Sequence, residues 1–234
     1  MKPFIVGLTG KAGSGKDTVA MMLTRRRLLS FGPLQEEKLS DRIQPFKKAG
    51  FKQIATGNFG PAFHMAMADP LKMNAHILYN IPYDNLWGDK KEETIPGMKT
   101  TGRKLLQDMG TYYRNLNVGT WVNLLLRTIE LTHKRHPGYL TYVISDVRYD
   151  NEAAAVRAQG GAVWEIVRPG LDTTEPWRAH SSEAGVSERY LTRRILNNKT
   201  LGVLYDRVKR SYIPDYLEYV ALMKNDETGF RKLT

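Results

Sequence analysis

The stretch Phe4–Ala20, FIVGLTGKAGSGKDTVA, decides how the rest of the chain is interpreted. It opens with the short apolar run Phe4–Thr9, whose β-branched residues predict a buried strand. Three glycines follow closely, and they let the backbone turn several N–H groups to one side. Lys16 then begins a run of helix-forming residues. The stretch therefore predicts a strand, a glycine-rich loop and a helix in direct succession.

The spacing from Gly10 to Lys16 is that of a P-loop. In such a loop, backbone N–H groups and a helix N-terminus surround a polyphosphate, and the lysine contacts its outer phosphates. The alternative is a glycine-rich turn with a solvated lysine, but the strand before the loop and the helix after it favour the P-loop. The residues expected to hold the phosphates of ATP are Gly13, Ser14, Gly15, Lys16, Asp17 and Thr18.

Asp17 stands where a P-loop ordinarily has a serine or threonine that gives its hydroxyl to magnesium, and Thr18 follows one place later. A carboxylate suits the N-terminus of a helix, but it would repel phosphate unless a metal ion lay between them. We therefore expect Mg²⁺ together with ATP. Either Asp17 or Thr18 could be the ligand.

Length and composition narrow the class of protein. The chain has 234 residues, enough for a full core, and we expect one domain over residues 1–234. The absence of cysteine excludes disulfides and thiolate metal sites. No stretch approaches the roughly 20 apolar residues of a membrane span, and no signal peptide precedes the first strand. We expect a cytoplasmic protein without a membrane partner.

The formal net charge of +11 has three interpretations. It can be a solvated basic face, or a positive cleft that raises the local concentration of small polyanionic ligands. It can also attract nucleic acid. The basic residues are dispersed, and no basic segment is interleaved with aromatic residues. This pattern argues against nucleic acid as a partner.

Strand and helix patterns alternate along the rest of the chain. Candidate strands cover 63–68, 140–145, 162–167 and 194–196, and candidate helices cover 16–29, 70–78, 101–115, 121–133, 151–160 and 200–212. Residues 214–223 are expected to cap the fold after the last helix ends at Tyr212. The alternation predicts an α/β fold, in which helices wrap a parallel five-stranded sheet in three layers. We read 34–59 as a surface insertion and 81–98 as a loop. We also expect an acceptor-binding insertion at about 30–135 and a lid loop at about 169–189.

Polar side chains follow several of these strands, at Asp69, Asp146, Arg168 and Asn197. Because the carboxyl ends of parallel strands meet at one edge, we expect these residues beside the P-loop in one active site. A kinase acting on a phosphate-bearing acceptor needs arginines, since a guanidinium fork matches phosphate oxygens. The candidates are Arg103, Arg114, Arg148, Arg168 and Arg178.

Each candidate near a strand end also has a structural interpretation. Asp146 could order magnesium or hold the acceptor, or it could cap the helix that follows it. Arg148 could grip the acceptor phosphate or pair with Glu152. Asp69 could be catalytic or only cap the next helix, and Lys72 could contact the acceptor or be a solvated first-turn lysine.

The candidates on the helices and after the last strand also have two interpretations each. Arg103 is the first choice for the acceptor phosphate and Arg114 the second, with exposed surface charge as the alternative. Asn197 and Asn198 would lie beside the adenine, or they form only a strand-to-helix turn. Trp121 belongs to the core or stacks on a base.

The polar loop near residue 180 supplies the lid candidates. Arg168 and Arg178 could clamp the transferring phosphoryl group, or they could be surface charges. His180 and Glu183 could hold the lid loop in place or contact the acceptor. A mobile arginine-bearing loop would also exclude water during phosphoryl transfer.

Several motifs together resemble the deoxynucleoside monophosphate kinases of tailed bacteriophages. They are GKAGSGKDT, AMADPLK, GRKLLQDMGT, ISDVRYDNEA, and HSSE followed by ILNNKTLGVLYD, and they cover most of the chain. The departure at Asp17 is a feature of that family. The resemblance implies a fold like that of the nucleoside monophosphate kinases, transfer of the γ-phosphate of ATP to a deoxynucleoside 5′-monophosphate, and a homodimer. Residues 34–59 and 83–98 match poorly and could set the choice of base.

Rival functions remain at this point. Another small-molecule P-loop kinase, such as one acting on dephospho-coenzyme A, would share the loop and the final asparagine-rich turn. A nucleic-acid-stimulated NTPase is favoured only by the charge, and it predicts salt-sensitive DNA binding. A non-catalytic nucleotide sensor would bind nucleotide without turnover.

Overall fold

The computed structural model describes residues 2–24, 62–171 and 180–224. Within them, five parallel strands form one sheet in the order β2-β3-β1-β4-β5. The strands are β1 (Phe4–Thr9), β2 (Ala62–Met65), β3 (Thr141–Ile144), β4 (Ala162–Val167) and β5 (Arg193–Leu196). The helices are α1 (Lys16–Thr24), α2 (Ala68–Tyr79), α3 (Tyr83–Leu86), α4 (Gly102–Leu116), α5 (Thr120–Arg135), α6 (Asp150–Ala158) and α7 (Leu201–Lys224). The predicted parallel five-stranded α/β sheet is confirmed.

Strand β1 is the centre of the sheet, and all of its residues are buried. Val6 pairs with Val143 on β3 and with Ala162 on β4. A strand that has neighbours on both sides and helices on both faces reads as a continuous apolar run. This is why the first strand could be located from the sequence to the residue.

Two hydrophobic clusters lie on opposite faces of the sheet, because successive side chains of a strand point in opposite directions. Phe4 and Trp164 belong to the cluster that also holds buried residues of α1 and α7. Ile5 and Tyr142 belong to the cluster that holds buried residues of α5 and α6. Helices, sheet and helices therefore form three layers.

The segment 81–98, which the sequence predicted to be a loop, is partly structured. It contains α3 and a 3₁₀ turn at Lys90–Glu92. It also buries Leu86, Trp87 and Ile95 in a third cluster, against which residues of α2 and α4 pack. An α-helix of four residues is too short to show a hydrophobic period, so the sequence pattern missed it.

The predicted break at Pro214 is also wrong, because α7 is one helix from Leu201 to Lys224. Proline removes one helical hydrogen bond, but side chains on both sides of it are anchored in the core. Tyr212 and Tyr219 are buried against Phe4. The carboxylate of Asp215 accepts hydrogen bonds from the indole N–H of Trp164 and from the guanidinium of Arg193, both at 2.7 Å.

Strand β2 and helix α2 depart from their predicted bounds for a tertiary reason. The strand ends at Met65 and the helix begins at Ala68, before the proline that was expected to open it. The backbone N–H groups of Met67 and Ala68 donate to the carboxylate of Asp146, at 2.7 and 3.0 Å. Asp146 thus caps α2, and the alternative that it caps α6 is wrong.

Some expectations lie outside the described residues, namely the insertion at 34–59 and Arg178. The acceptor-binding insertion at about 30–135 and the lid at about 169–189 stay predictions, although β2 of the sheet falls within the first range. In the described part of the chain, no helix has the length and apolar character needed to cross a bilayer.

Candidate active site

The glycine-rich loop between β1 and α1 depends on glycine at two positions. Gly10 has a φ of +124°, and a Cβ there would lie 2.4 Å from the carbonyl oxygen of Ile166. Gly15 has a φ of +102°, and a Cβ there would lie 2.5 Å from Nδ2 of Asn197. Side chains other than hydrogen are excluded at both places, so the loop can pack closely against the ends of β4 and β5.

Lys16 begins α1, and its ammonium donates to the carbonyl oxygens of Gly10 at 2.6 Å and Lys11 at 2.8 Å. The pKa of Lys16 is lowered from 10.5 to about 8, chiefly by burial and in addition by the neighbouring charge of Arg148. The carboxylates of Asp17, Glu183 and Asp146 act in the opposite direction. These charges therefore lie close enough to Lys16 to form one electrostatic site.

The lowered pKa of Lys16 predicts that polyphosphate binding takes up a proton at alkaline pH. Between pH 8 and 10.5 the unfolded chain binds more protons at this lysine, so its contribution to stability rises with pH. A polyphosphate bound to the folded protein favours the ammonium form of Lys16, so binding raises the pKa of this lysine. Calorimetric titration with ATP at about pH 9, in two buffers of different ionisation enthalpy, should show uptake approaching one proton. Lys16→Met should abolish the uptake, and equal binding enthalpies in both buffers for the unmodified protein would contradict the prediction.

A cavity of about 320 Å³ extends from the P-loop to α2 and α4. Its wall brings together residues that are far apart in the sequence. The predicted site residues that line it are Gly13, Lys16, Asp17, Lys72, Arg103, Arg114, Asp146, Arg148, His180 and Glu183, and Trp121 lines it as well.

Helix α4 gives the cavity one continuous face. Arg103, Leu106, Gln107, Gly110 and Arg114 all line the cavity, at helical spacings of three, four, seven and eleven residues from Arg103. Residues at these spacings share one side of a helix. Once Arg103 was a candidate, the same period could have added Leu106 and Gly110.

Arg114 is held in place by a buried carboxylate and an aromatic ring. Its guanidinium donates to Glu152 at 3.0 Å and lies 4.0 Å from the centre of the Tyr149 ring. Glu152 also accepts the backbone N–H groups of Arg148 at 2.8 Å and Tyr149 at 3.2 Å. Burial raises the pKa of Glu152, while these donors lower it. Glu152 thus fixes α4 to the corner between β3 and α6.

The guanidinium of Arg148 does not pair with Glu152 but with Glu183, and it also donates to the carbonyl oxygen of Ser182 at 3.2 Å. Only the backbone N–H of Arg148 reaches Glu152. The alternative that the Arg148 side chain pairs with Glu152 is therefore wrong. Arg148 connects the end of β3 to the loop near residue 180.

His180 attaches the same loop to α4. Nδ1 of His180 accepts the backbone N–H of Ser182 at 3.2 Å, so Nε2 carries the proton and donates to Oγ1 of Thr111 at 3.3 Å. Burial lowers the pKa of His180, and the charge of Arg114 lowers it further. The loop that follows residue 179 is thus anchored to α4.

Asp69 and Lys72 lie in the first turn of α2. The Asp69 side chain is only 8% exposed and accepts the indole N–H of Trp87 and the backbone N–H of Ala66, each at 3.2 Å. Asp69 lies inside the helix, so the interpretation as a cap just before Pro70 is wrong. Lys72 is 15% exposed, which excludes a fully solvated lysine.

Other predicted residues lie beside the cavity rather than in its wall. Ser14, Gly15 and Thr18 form the back of the P-loop, and Asn197 donates to the carbonyl oxygen of Ser14 at 2.9 Å. Asn198 accepts from Arg207 at 2.8 Å, which fits the turn interpretation. Arg168 is exposed after the end of β4.

Some cavity residues carried no signal in the sequence. Lys91 lies in the segment that was read as a loop, and Ser182 was only part of a motif. Glu152 was considered only as a partner of Arg148. Among the residues that the structure describes, no cluster of three or more His, Cys, Asp or Glu side chains could hold a metal ion.

Comparison with known proteins identifies relatives of this chain. The family model described as deoxynucleotide monophosphate kinase matches residues 88–208, which is 121 of 234 residues. A protein of Acanthamoeba polyphaga mimivirus, provisionally named a deoxynucleotide monophosphate kinase, is 27% identical over 217 residues, or 87% of this chain and 93% of the relative. The deoxynucleotide monophosphate kinase of Enterobacteria phage T4 is 32% identical over 111 residues, or 47% of this chain and 44% of that protein.

Proposed function

Because the chain belongs to the deoxynucleotide monophosphate kinase family, we propose that it transfers the γ-phosphate of ATP to the 5′-phosphate of a deoxynucleoside monophosphate. The family makes it a phosphotransferase with a nucleotide substrate. One observation supports the reaction most directly: one cavity has Lys16 at its P-loop end and Arg103 on its helical side. Such a cavity can bring the phosphates of two substrates together.

The proposed ATP site is the P-loop. Gly13, Lys16 and Asp17 line the cavity at the head of α1, where backbone N–H groups and the positive end of the helix favour a polyphosphate. Lys16 would exchange its two carbonyl partners for phosphate oxygens. Thr18 belongs to the same first turn, and Asn197 supports the loop from behind through Ser14.

The residues near Lys16 fit a magnesium ion. Asp17, Thr18 and Asp146 offer hard oxygen donors, and Mg²⁺ is commonly held by one or two carboxylates together with substrate phosphates. Asp17 is exposed at the cavity and Asp146 lines it. Bound there, the ion would neutralise phosphate charge that Asp17 would otherwise repel. Both oxygens of Asp146 already accept amide hydrogens, so Asp17 is the stronger candidate for direct contact.

In the proposed step, an oxygen of the acceptor phosphate forms a bond to the γ-phosphorus of ATP, and the bond to the β–γ bridging oxygen breaks to release ADP. This reaction asks mainly for alignment and for neutralisation of negative charge. Lys16 and Arg148 lie in the cavity wall where the two substrates would meet. Arg148 would leave Glu183 for a phosphate oxygen, and the anchored loop near residue 180 would help to exclude water.

The apolar part of the cavity would take the base of the acceptor. Leu71, Leu106, Gly110 and Trp121 line it, and the Trp121 indole N–H donates to the carbonyl oxygen of Gly110 at 3.4 Å. Trp121 is buried, so core packing and contact with a base are compatible. Lys91, in the poorly matched segment 83–98, lines the same cavity. This position is consistent with the proposal that the segment helps to set the choice of base.

Arg103 is proposed to bind the acceptor phosphate, which predicts a selective kinetic defect. Arg103→Ala should raise the KM for the acceptor about tenfold, because it removes charge-assisted hydrogen bonds. The KM for ATP should change far less. Lys104→Ala is the matched control, because Lys104 is 63% exposed on the same helix. Equal effects of Arg103→Ala on both substrates would contradict the assignment.

An ADP-release assay across the deoxy- and ribonucleoside monophosphates tests the proposed function. We expect turnover with at least one deoxynucleotide. Turnover with dephospho-coenzyme A alone would favour the rival kinase, and DNA-dependent ATP hydrolysis would favour a nucleic-acid-stimulated NTPase. Binding without turnover would favour a sensor.

The cytoplasmic location and the homodimer are further parts of this proposal, and light scattering after size-exclusion chromatography tests the dimer.

A further inference from the structure

The strongest feature outside the roles assigned so far is a three-residue arrangement beside the cavity. We propose that Asp69 and Trp87 are positioning residues, which hold the ammonium of Lys72 at the cavity wall as a contact for the 5′-phosphate of the acceptor. This inference rests on the proposed function. It gives Asp69 an indirect role, and it assigns a role to Trp87, which no sequence motif indicated.

The carboxylate of Asp69 is fixed from two sides. Its Oδ1 accepts the indole N–H of Trp87 and its Oδ2 accepts the backbone N–H of Ala66, each at 3.2 Å. The side chain is 8% exposed, so water competes little for these bonds. A carboxylate held in this way cannot turn to follow a mobile partner, and its negative charge stays at one place.

The indole of Trp87 is itself rigid. It is 5% exposed, and the ring of Tyr83 stacks on it with centres 5.1 Å apart and planes 13° apart. The segment 81–98 packs against α2 and α4 through this cluster. Through its hydrogen bond to Asp69, Trp87 therefore fixes the Asp69 carboxylate relative to segment 81–98.

Lys72 is oriented by these groups without being hydrogen-bonded to them. Its Nζ lies 3.6 Å from Oδ1 of Asp69, which is longer than a hydrogen bond, and 5.7 Å from the centre of the Trp87 ring. Both contacts are electrostatic attractions to a cation. Within the described chain, the ammonium keeps its N–H donors uncommitted although the side chain is only 15% exposed.

A nearly buried ammonium with uncommitted donors in a cavity wall is suited to an anionic ligand. Arg114 and Arg148, in the same wall, are already hydrogen-bonded to Glu152 and Glu183. Lys72 shares the cavity with Lys16, and an ammonium binds phosphate as a point charge with three donors. The acceptor monophosphate is the anion that the proposed reaction brings to this side.

A double-mutant cycle tests the inference. Lys72→Met should raise the KM for the acceptor at least about tenfold, because it removes a charged hydrogen-bond donor. Trp87→Phe keeps an aromatic ring but loses the N–H, and it should raise the same KM about three- to fivefold. Neither should change the KM for ATP more than about twofold. Because Trp87 acts through Lys72, the double variant should match Lys72→Met alone.

Further variants separate positioning from a general loss of structure. Asp69→Asn keeps an acceptor for the indole but removes the charge, and it should behave like Trp87→Phe. Lys72→Arg should recover part of the acceptor affinity that Lys72→Met loses. Lys104→Met is the control, because it makes the same change at a lysine that is 63% exposed on α4, and it should leave both KM values unchanged.

Two results would overturn the inference. The first is a double variant in which Trp87→Phe raises the acceptor KM above that of Lys72→Met by the same factor as it does in the unmodified protein. The second is a Trp87→Phe variant with a lower Tm and unchanged kinetics, which would make the contact purely structural. Calorimetric titration with the monophosphate in the absence of ATP should show the same ranking of affinities. If the unmodified protein neither binds nor phosphorylates any monophosphate, the proposed function itself fails and this inference falls with it.

Discussion

Replacing Lys16 by alanine is expected to abolish phosphoryl transfer. Lys16 lies at the head of α1, in the wall of the cavity and within the electrostatic reach of Asp17, Asp146 and Arg148. Negative charge moves toward the β–γ bridging oxygen during transfer, and a fixed cation there stabilises the transition state more than the ground state. Loss of such a group lowers kcat by about 10²–10³-fold or more. An ADP-release assay with saturating acceptor measures the loss.

Lys11→Ala is the matched control for this experiment. Lys11 belongs to the same loop and is exposed, and it contacts Lys16 through its backbone carbonyl, which alanine retains. The control should keep full activity. Lys16→Ala should also keep its Tm within a few degrees, because the lysine is buried at a cost, as its lowered pKa shows. Turnover by Lys16→Ala within about tenfold of the unmodified protein would refute the P-loop assignment.

Replacing Asp215 by alanine is expected to cause the largest loss of stability. The Asp215 side chain is 2% exposed and accepts from the Trp164 indole and the Arg193 guanidinium. Removal of the carboxylate leaves a buried indole N–H and a half-buried guanidinium without their acceptor. We expect the free energy of unfolding to fall by about 3 kcal/mol, and denaturation in urea would measure it.

Glu218→Ala provides the comparison for Asp215→Ala, because Glu218 is an exposed carboxylate on the same helix. It should unfold like the unmodified protein. Asp215→Asn should fall between the two, since the amide can still accept from Trp164. Asp215 lies near the beginnings of β1, β4 and β5, at the edge opposite the P-loop, so the folded fraction of every variant should keep its activity. A fall of less than about 1 kcal/mol in Asp215→Ala would contradict the expectation.

The predictions from sequence succeeded where a few neighbouring residues carry the information. Strand β1 and the start of α1 were located because Phe4–Thr9 is a continuous apolar run and Lys16 follows the glycines. Strand β4 was placed at Ala162–Val167 for the same reason. Arg103 and Arg114 were placed on one helix, and the cavity runs along the face that they share.

The predictions failed where a distant group satisfies a local need. Helix α2 begins at Ala68 because Asp146, 79 residues from Met67, accepts its first amides. Pro214 is tolerated within α7 because core contacts surround it. The segment 81–98 looked irregular because its buried residues follow no helical or strand period.

The sequence by itself determined the parallel sheet, the phosphate-binding loop and the family resemblance, because each is encoded by the period or spacing of residues close together in the chain. Only the tertiary structure decided which donor each buried carboxylate meets. Glu152 reaches Arg114 across 38 residues, Glu183 reaches Arg148 across 35, and Asp69 meets Trp87 across 18. Such pairs form when helices and loops pack against the sheet, and no local pattern specifies which side chains that packing brings within hydrogen-bonding distance.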